Sequence, residues 1–195
     1  MSKYEIVALF GPAGSGKDYL LNKIMKTIWG KTHLNKIISC TTRPPREGEM
    51  DGVNYHFLSA ADFFDKNKLI EFTKFRNWYY GTPESSLSEE KINIGVFNIA
   101  GINLMLDNPD CEVLPIRIYA DDRTRLLRQF NRETNPDYME ICRRFITDKQ
   151  DFAVVPFHYN GIENNTDEIQ PVINETLDLI RHWTKKEKPS NKIFI

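Results

Sequence analysis

The alternation of apolar and polar positions predicts strands and helices that follow one another along most of the chain. Residues 4–10, YEIVALF, form a β-rich apolar run, and residues 17–29 then place apolar side chains at helical spacing. A glycine-rich loop joins the two without a linker. Two later runs, 92–98 and 112–119, have the character of buried strands, and a helical pattern follows each. This order predicts an α/β fold with a parallel sheet flanked by helices.

The middle of the chain has a different pattern and predicts an inserted lobe. Its short apolar segments, KIISC and VNYHF, alternate with turn signals at Pro44-Pro45 and Asp51-Gly52, and a short helix is expected over 60–66. A polar, arginine-rich stretch with a break near Asn135-Pro136 predicts a helical lid, and 167–183 a closing amphipathic helix. The expected division of this single domain is a core of residues 1–34, 92–120 and 153–184, a lobe of residues 35–91 and a lid of about residues 121–152.

Composition and charge narrow the classes of protein. The chain has 26 Lys and Arg against 27 Asp and Glu, so its overall charge does not indicate a nucleic-acid or anionic-membrane surface. The first apolar run is too short for a signal peptide, and no stretch approaches the roughly 18 apolar residues of a membrane span. The three cysteines lack the spacing of a disulfide framework or a zinc site. We therefore expect a soluble cytoplasmic protein that binds neither nucleic acid nor membrane.

The segment GPAGSGK has the pattern of a phosphate-binding loop. Glycines allow backbone N–H groups to turn inward around phosphate oxygens, the next helix presents its positive end, and Lys17 adds a point charge. The alternative is a glycine-rich turn that merely starts a helix. The strand before it and the helix after it favour a nucleotide polyphosphate site. The residues predicted to bind ATP here are Gly11, Pro12, Ala13, Gly14, Ser15, Gly16, Lys17 and Asp18.

Asp18 stands where such loops usually carry a Ser or Thr that binds Mg²⁺. A carboxylate is itself a hard oxygen ligand, so Asp18 could hold Mg²⁺ directly or through water. The alternative is that an Asp in the first turn only favours the start of the helix, by roughly 0.3–1 kcal/mol. The strand at 92–98 has Val96 and Asn98, and no acid, where P-loop enzymes often carry a second metal-binding carboxylate. We therefore favour Asp18 as the metal ligand.

A second phosphate site is predicted in the inserted lobe. Arg43 and Arg46 flank Pro44-Pro45, which spaces their two guanidinium groups stiffly, and Tyr55 lies on the next predicted strand. This set suits a phosphate monoester, because arginine offers bidentate charge-assisted hydrogen bonds. The alternative is a solvated basic turn. The same lobe adds a carboxylate and a hydroxyl, from Glu71 and from an expected turn at Tyr80-Gly81-Thr82.

Taken together, these motifs resemble the guanylate kinase family over nearly the whole chain. The stretches that carry the resemblance are GPAGSGK, TTRPPREGEMDGVNYHF, LIEF with YYGT, RLLRQFNRE, RRF and HYN. The resemblance implies a P-loop core with an inserted nucleotide-monophosphate lobe and a lid. It also implies an ATP-dependent, Mg²⁺-using kinase for GMP or dGMP, whose partners are small nucleotides and which is a monomer or homodimer.

The resemblance implies roles for individual residues. The acceptor nucleotide and its phosphate would be held by Ser39, Arg43, Arg46, Tyr55 and Tyr80. The guanine edge would be read by Ser39, Glu71 and Thr82, since one carboxylate can accept the adjacent N1–H and 2-amino donors of guanine. The transferring group would be stabilised by Lys17, Arg128, Arg132 and Arg144, with Arg143 beside them. Asn160 resembles a family position near the adenine and the loop, and Asn98 could hydrogen-bond the base or ribose.

Two departures from the family pattern, at Asp18 and at Asn98 with Val96, leave alternatives open. Some viral deoxynucleoside monophosphate kinases also carry Asp after the loop Lys, which allows a broader or deoxy-preferring acceptor. Ribose 1,5-bisphosphate phosphokinases look similar in having GKD and a later Asn. A non-enzyme alternative is the guanylate-kinase-like phosphopeptide-binding module of scaffold proteins, which tends to lose the intact loop that this chain keeps.

Overall fold

The computed structural model describes residues 2–45, 48–65, 68–75, 77–132, 134–166 and 168–184. Its strands are β1 (Tyr4–Phe10), β2 (Leu34–Lys36), β3 (Cys40–Thr41), β4 (His56–Phe57), β5 (Leu69–Phe75), β6 (Trp78–Pro83), β7 (Ile92–Val96), β8 (Cys111–Tyr119) and β9 (Asn160–Glu163). Its helices are α1 (Lys17–Ile24), α2 (Ile28–His33), α3 (Ala60–Asp65), α4 (Ile99–Leu106), α5 (Asp122–Phe130), α6 (Tyr138–Asp151) and α7 (Ile169–Thr184).

Five parallel strands form the central sheet, in the order β2-β7-β1-β8-β9. Successive residues of β1 face opposite sides of this sheet. Val7 and Leu9 pack into a core that also contains apolar residues of α1 and α7, whereas Ile6 and Ala8 pack into a second core with Ile102 of α4. The predicted α/β fold, with a parallel sheet flanked by helices, is confirmed.

The strand order brings the ends of several strands to one edge of the sheet. Parallel strands present their carboxyl ends together, and ligands of open α/β sheets bind in the crevice there. The glycine loop follows β1, the central strand, while Asn98 follows β7 and Asn164 follows β9. A Cβ on Gly11 would overlap the carbonyl oxygen of Ile118 in β8, so only glycine allows the chain to leave β1 so close to its neighbour.

A second, mixed sheet has the order β4-β3-β6-β5 and lies within the region predicted to be an inserted lobe. Its β5–β6 pair is antiparallel and places Glu71 opposite Thr82. The expected turn at Tyr80-Gly81-Thr82 is wrong, because these residues lie inside β6. Gly81 serves close packing instead of a turn: a Cβ there would lie 3.0 Å from the ring of Phe63 in α3.

Two further predicted elements are divided in the structure. The helix expected over 17–29 ends at Ile24, and a new helix starts at Ile28. Between them the Thr27 hydroxyl donates to the carbonyl of Ile24 and accepts the N–H of Gly30 at 2.9 Å, which caps the second helix. The run KIISC is likewise not one strand: Lys36 ends β2 of the central sheet, Cys40 begins β3 of the second sheet, and the three residues between them lie in neither.

The arginine-rich stretch forms α5 and α6, which are separated at the predicted Asn135-Pro136 break. Across the described ranges, no helix combines the length and the apolar character that a bilayer crossing requires.

Candidate functional site

The loop between β1 and α1 has the backbone of an anion-binding cradle. Gly14 and Gly16 have φ angles of 79° and 86°, which glycine adopts at little cost. Gly16 directly precedes α1, so the unpaired N–H groups and the positive end of that helix lie at the loop. A Cβ on Gly14 would overlap the backbone carbonyl of Arg125 in α5. The loop therefore offers backbone donors suited to phosphate oxygens, and α5 lies close against it.

Lys17 and Asp18 place a cation and a carboxylate beside this cradle. The Lys17 Nζ lies 3.4 Å from the Pro12 carbonyl oxygen and 3.9 Å from an Asp18 carboxylate oxygen. The Asp18 side chain is 74 % exposed. Burial raises the pKa of Tyr55, the residue before β4, and the Asp18 carboxylate raises it further. The Asp18 carboxylate is therefore close enough to Tyr55 to act on its hydroxyl.

The site is suited to a metal that arrives with a nucleotide. Among the described residues, no group of three or more His, Cys, Asp or Glu side chains could hold a metal ion. Mg²⁺ at nucleotide sites is usually bound by one or two carboxylates together with substrate phosphates. Asp18, exposed beside the loop, is a donor of that kind.

Two residues that the sequence analysis did not single out, the buried Arg125 and the partly buried Asp148, hold the loop from the side of the lid helices. The Arg125 Nε donates to the Ala13 carbonyl oxygen at 3.0 Å. The Asp148 Oδ2 accepts the Ala13 N–H at 2.6 Å and the Arg125 Nη2–H at 3.2 Å. Burial lowers the pKa of Arg125, which is 5 % exposed, while the carboxylates of Asp148 and Asp122 act in the opposite direction. Burial distinguishes this arginine from its neighbours on α5; it opens the stretch RLLRQFNRE, but that stretch does not indicate a contact with the loop.

Asn164 contacts the loop from β9. Its Nδ2 donates to the Ser15 carbonyl oxygen at 2.8 Å, and its own N–H donates to the carbonyl of Tyr119. The side chain is almost fully buried. The sequence analysis expected this position to be Asn160, which is the exposed first residue of β9. The asparagine that reaches the loop is therefore Asn164, which follows the carboxyl end of β9, and not Asn160 at its start.

Across from the loop, Arg43, Tyr55 and Tyr80 are brought together as the sequence analysis expected. The Arg43 Cζ lies 5.4 Å from the Tyr55 ring centroid, and the centroids of Tyr55 and Tyr80 are 6.1 Å apart. The Arg43 guanidinium is buried and makes two hydrogen bonds to Glu49, at 2.7 and 3.1 Å. An anionic ligand could bind the Arg43 guanidinium either in place of Glu49 or beside it. Arg46, predicted to belong here, lies outside the described residues.

Glu71, Thr82 and Ser39 form a polar cluster at the second sheet, in which Glu71 and Thr82 are buried and Ser39 is partly exposed. The Thr82 hydroxyl donates to Glu71 Oε1 at 2.7 Å, and the Ser39 hydroxyl lies 3.5 Å from that of Thr82. Burial raises the pKa of Glu71 to about 7, although the hydrogen bond from Thr82 lowers it. A buried carboxylate of this kind is best satisfied by a ligand that brings hydrogen-bond donors.

Asn98 lies beside Glu71, and both ends of its side-chain amide already bind protein groups. Its Oδ1 accepts the Gly101 N–H at 2.7 Å and caps α4, and its Nδ2 donates to the Thr73 hydroxyl at 2.8 Å. This joins β5 to the start of α4. A contact of Asn98 with a base or ribose stays a prediction.

Of the lid arginines, Arg128 lies beside the loop, where its Nη1 would be 3.7 Å from a Cβ on Gly16. Arg128 donates to the carbonyl oxygens of Asn164 and Thr166, at 2.8 and 3.1 Å, and so holds the segment between β9 and α7. The Arg144 Nε donates to Glu140 at 2.6 Å. Arg143 binds the same glutamate, and Arg132 lies exposed just beyond α5.

Comparisons with known proteins agree with this arrangement. A family model described as guanylate kinase matches residues 3–178. The guanylate kinase of Prochlorococcus marinus (strain MIT 9312) is 31% identical over 175 residues, which is 84% of this chain and 91% of that protein. The guanylate kinase of Helicobacter pylori (strain ATCC 700392 / 26695) is 37% identical over 109 residues, 52% of each protein.

Solved structures contain the same fold. The crystal structure of guanylate kinase from Anaplasma phagocytophilum superimposes with a TM-score of 0.67 at 16% identity, covering 95% of this chain and 89% of that one. The fold, the loop at the edge of the sheet and the match over nearly the whole chain lead to one conclusion: this protein belongs to the guanylate kinase family and is a phosphotransferase.

Proposed function

We propose that the protein transfers the γ-phosphoryl group of ATP to GMP or dGMP, giving ADP and the guanosine or deoxyguanosine diphosphate. Family membership supports a nucleotide kinase. The observation that carries the choice of acceptor is the buried Glu71 carboxylate, which has Thr82 on one oxygen. Guanine supplies two adjacent donors to such a carboxylate, whereas adenine presents an acceptor nitrogen and would leave it partly unpaired.

The donor side would be the loop and its flanking helix. Backbone N–H groups at the Gly14–Lys17 end of the loop and the positive end of α1 would hold the phosphates of ATP, and Lys17 adds its charge. Asp18 would bind Mg²⁺ with the phosphates; when bound, the ion neutralises phosphate charge and helps to position the γ-phosphate. The exposed Asp18 carboxylate, near both Lys17 and Tyr55, supports this assignment.

The acceptor side would be the second sheet. Arg43, Tyr55 and Tyr80 hold the monophosphate, with Arg46 as a further predicted partner, while Glu71 reads the base with Ser39 and Thr82. The electrostatic effect of Asp18 on Tyr55 supports placement of the acceptor phosphate opposite the loop. Phosphoryl transfer then depends on in-line positioning and on cations that stabilise the spreading charge of the moving group.

Closure of the lid would complete the site. Arg144 now binds Glu140, and Arg132 is exposed. We propose that, when both nucleotides are bound, Arg132 and Arg144 exchange their present surroundings for phosphate oxygens and help to exclude water, while α5 stays tied to the loop. Arg128 would keep its hydrogen bonds to two carbonyl oxygens of the β9–α7 segment.

The buried Glu71–Thr82 pair disfavours the alternative functions that the sequence analysis left open. Ribose 1,5-bisphosphate offers only hydroxyl donors and lacks the adjacent N–H pair of guanine, and a phosphopeptide-binding module does not need an intact loop with Lys17 and Asp18. A general deoxynucleotide kinase would tolerate the loss of Glu71. None of these alternatives uses the Glu71–Thr82 pair.

The test is ADP release from ATP and Mg²⁺ with single acceptors: GMP, dGMP, AMP, dAMP, CMP, dCMP, UMP, dTMP and ribose 1,5-bisphosphate. We expect the guanine nucleotides to have a kcat/KM at least roughly 100-fold above those of the other acceptors, as expected for a buried polar pocket that rejects a ligand with the wrong hydrogen-bonding edge. Equal turnover of all nucleotides, or turnover of the sugar bisphosphate alone, would contradict the proposal.

We also propose a cytoplasmic location and a monomer or homodimer. The three cysteines are free thiols, which suits a reducing compartment. The proposed substrates, ATP and GMP, are also found in the cytoplasm. Sedimentation at several protein concentrations tests the assembly state.

A further inference from the structure

Ala13, the third residue of the phosphate loop, has both of its backbone polar groups bound by side chains from the lid helices. Its N–H donates to Asp148 of α6 at 2.6 Å, and its carbonyl oxygen accepts from Arg125 of α5 at 3.0 Å. The two side chains also bind each other, at 3.2 Å. The result is a closed ring of three hydrogen bonds around one residue of the loop.

This ring is built into the fold. Arg125 is 5 % exposed, its guanidinium carbon lies 4.8 Å from the ring centroid of Phe145, and its backbone packs against Gly14. Asp148 is also largely buried, with 16 % of its side chain exposed. Hydrogen bonds between ionised and backbone groups are short and strong in such surroundings. Because the two peptide groups that flank the Ala13 Cα are fixed from outside, the loop keeps one curvature before any nucleotide arrives.

We propose that Arg125 and Asp148 are positioning residues for the donor nucleotide, which hold the phosphate loop in its binding conformation and tie it to the lid helices. This inference rests on the proposed function and adds two residues to it. A pre-formed loop binds phosphate more tightly, because the ordering of its backbone does not oppose binding. The charge of Arg125 is matched by Asp148 and Asp122, so the pair acts on loop geometry and not as a second cation for the phosphates.

The opposite possibility is that Asp148 occupies a donor that a phosphate oxygen needs. In that case removal of the carboxylate would strengthen nucleotide binding. The hydrogen bond from Arg125 to the Ala13 carbonyl favours the positioning role. If Asp148 only filled an empty anion site at the Ala13 N–H, a second side chain bound to the carbonyl of the same residue would not be needed.

The experiment is titration of the full chain with Mg²⁺ and ADP by calorimetry, which reads donor binding without requiring GMP phosphorylation. We expect Asp148→Ala to weaken ADP binding roughly tenfold, because it removes two charge-assisted hydrogen bonds. Asp148→Asn, whose amide oxygen still accepts the Ala13 N–H, should lie between Asp148→Ala and wild type. Asp151→Ala, an exposed carboxylate at the end of the same helix, should bind ADP like wild type.

A second readout separates positioning from general stability. If Asp148→Ala binds ADP as tightly as wild type or more tightly, the proposal is overturned. It is also overturned if the KM for ATP and the KM for GMP rise by the same factor in Asp148→Asn, since positioning of the loop acts on ATP. A wild-type protein that binds ADP through this loop but does not phosphorylate GMP would refute the proposed function alone, whereas one that binds no ADP would refute both.

Discussion

The hydroxyl of Thr82 in β6 donates a 2.7 Å hydrogen bond to the carboxylate of Glu71 in β5, the edge strand of the second sheet. These residues lie opposite each other in the β5–β6 pair, so the sheet register fixes their contact. Glu71 is 7 % exposed, and a carboxylate this deeply buried is costly to ionise unless it has partners. The pair therefore stabilises the charged form in part and leaves capacity for donors on a ligand.

Replacement of Glu71 should change base selection. In Glu71→Gln the side chain loses its charge and gains an amide donor that faces the N1–H and 2-amino groups of guanine. We expect the ratio of kcat/KM for GMP over AMP to fall roughly 10- to 100-fold, the size of one or two hydrogen bonds to a charged group. Glu175→Gln, on the exposed face of α7, is the matched control and should leave the ratio unchanged.

Binding of GMP should depend on pH through Glu71. Burial raises the pKa of this group to about 7, so the carboxylate takes up a proton as the pH falls through that value. The protonated form accepts fewer donors, and the KM for GMP should therefore increase by roughly tenfold between pH 8 and pH 6. The GMP phosphate also titrates near pH 6. In Glu71→Gln the KM for GMP should therefore vary with pH only through that phosphate. Parallel pH profiles in the two proteins would show that Glu71 does not titrate in this range or does not contact the base.

Asp18 should set the magnesium requirement. In Asp18→Ala the Mg²⁺ concentration that gives half-maximal activity should rise several-fold, because one hard oxygen ligand is lost. Asp18→Ser restores a hydroxyl at the same position and should recover part of the affinity. If Asp18→Ala has an unchanged Mg²⁺ dependence and is only slightly less stable, Asp18 acts through the helix start alone.

Arg43 should govern the affinity for the acceptor phosphate. Lysine retains the charge in Arg43→Lys but not the planar fork, so we expect the KM for GMP to rise roughly tenfold, with little change in the KM for ATP. Arg181→Lys, which changes a surface ion pair with Asp178 on α7, is the control. An equal effect of Arg43→Lys on both substrates would indicate loss of the second sheet's structure through the Glu49 contact instead.

Asn98 should contribute to stability through its helix cap. Asn98→Ala removes the acceptor for the Gly101 N–H, and a lost cap of this kind costs roughly 0.5–2 kcal/mol in the free energy of unfolding. Asn98→Asp keeps the cap and loses only the donor to Thr73. Urea unfolding measures both. A rise in the KM for GMP without a change in stability would instead assign Asn98 to the ligand.

The sequence predicts the core sheet and the loop well, because both follow from local rules. The run before Gly11 alternates between two buried faces, and the glycines of the loop have few other uses at this spacing. The inserted region is less predictable. Tyr80-Gly81-Thr82 has turn-like composition, yet Gly81 is a strand residue because Phe63 packs on it.

The residues that only tertiary structure could identify are Arg125, Asp148 and Asn164. Each contacts the loop from a distant part of the chain, and the local sequence does not indicate that contact, even for Arg125 in the stretch RLLRQFNRE. Asn160 and Asn164 illustrate the difficulty. Both belong to the same polar stretch, and only the end of β9 determines which of them reaches Ser15.

The most direct test of phosphoryl transfer from ATP to a guanine nucleotide is ³¹P NMR of the purified protein with equimolar ATP and GMP and excess Mg²⁺. The account predicts that ADP and GDP appear in equal amounts while ATP and GMP decline together, without release of inorganic phosphate. Unchanged ATP, or ADP that accumulates with inorganic phosphate while GMP persists, would contradict it.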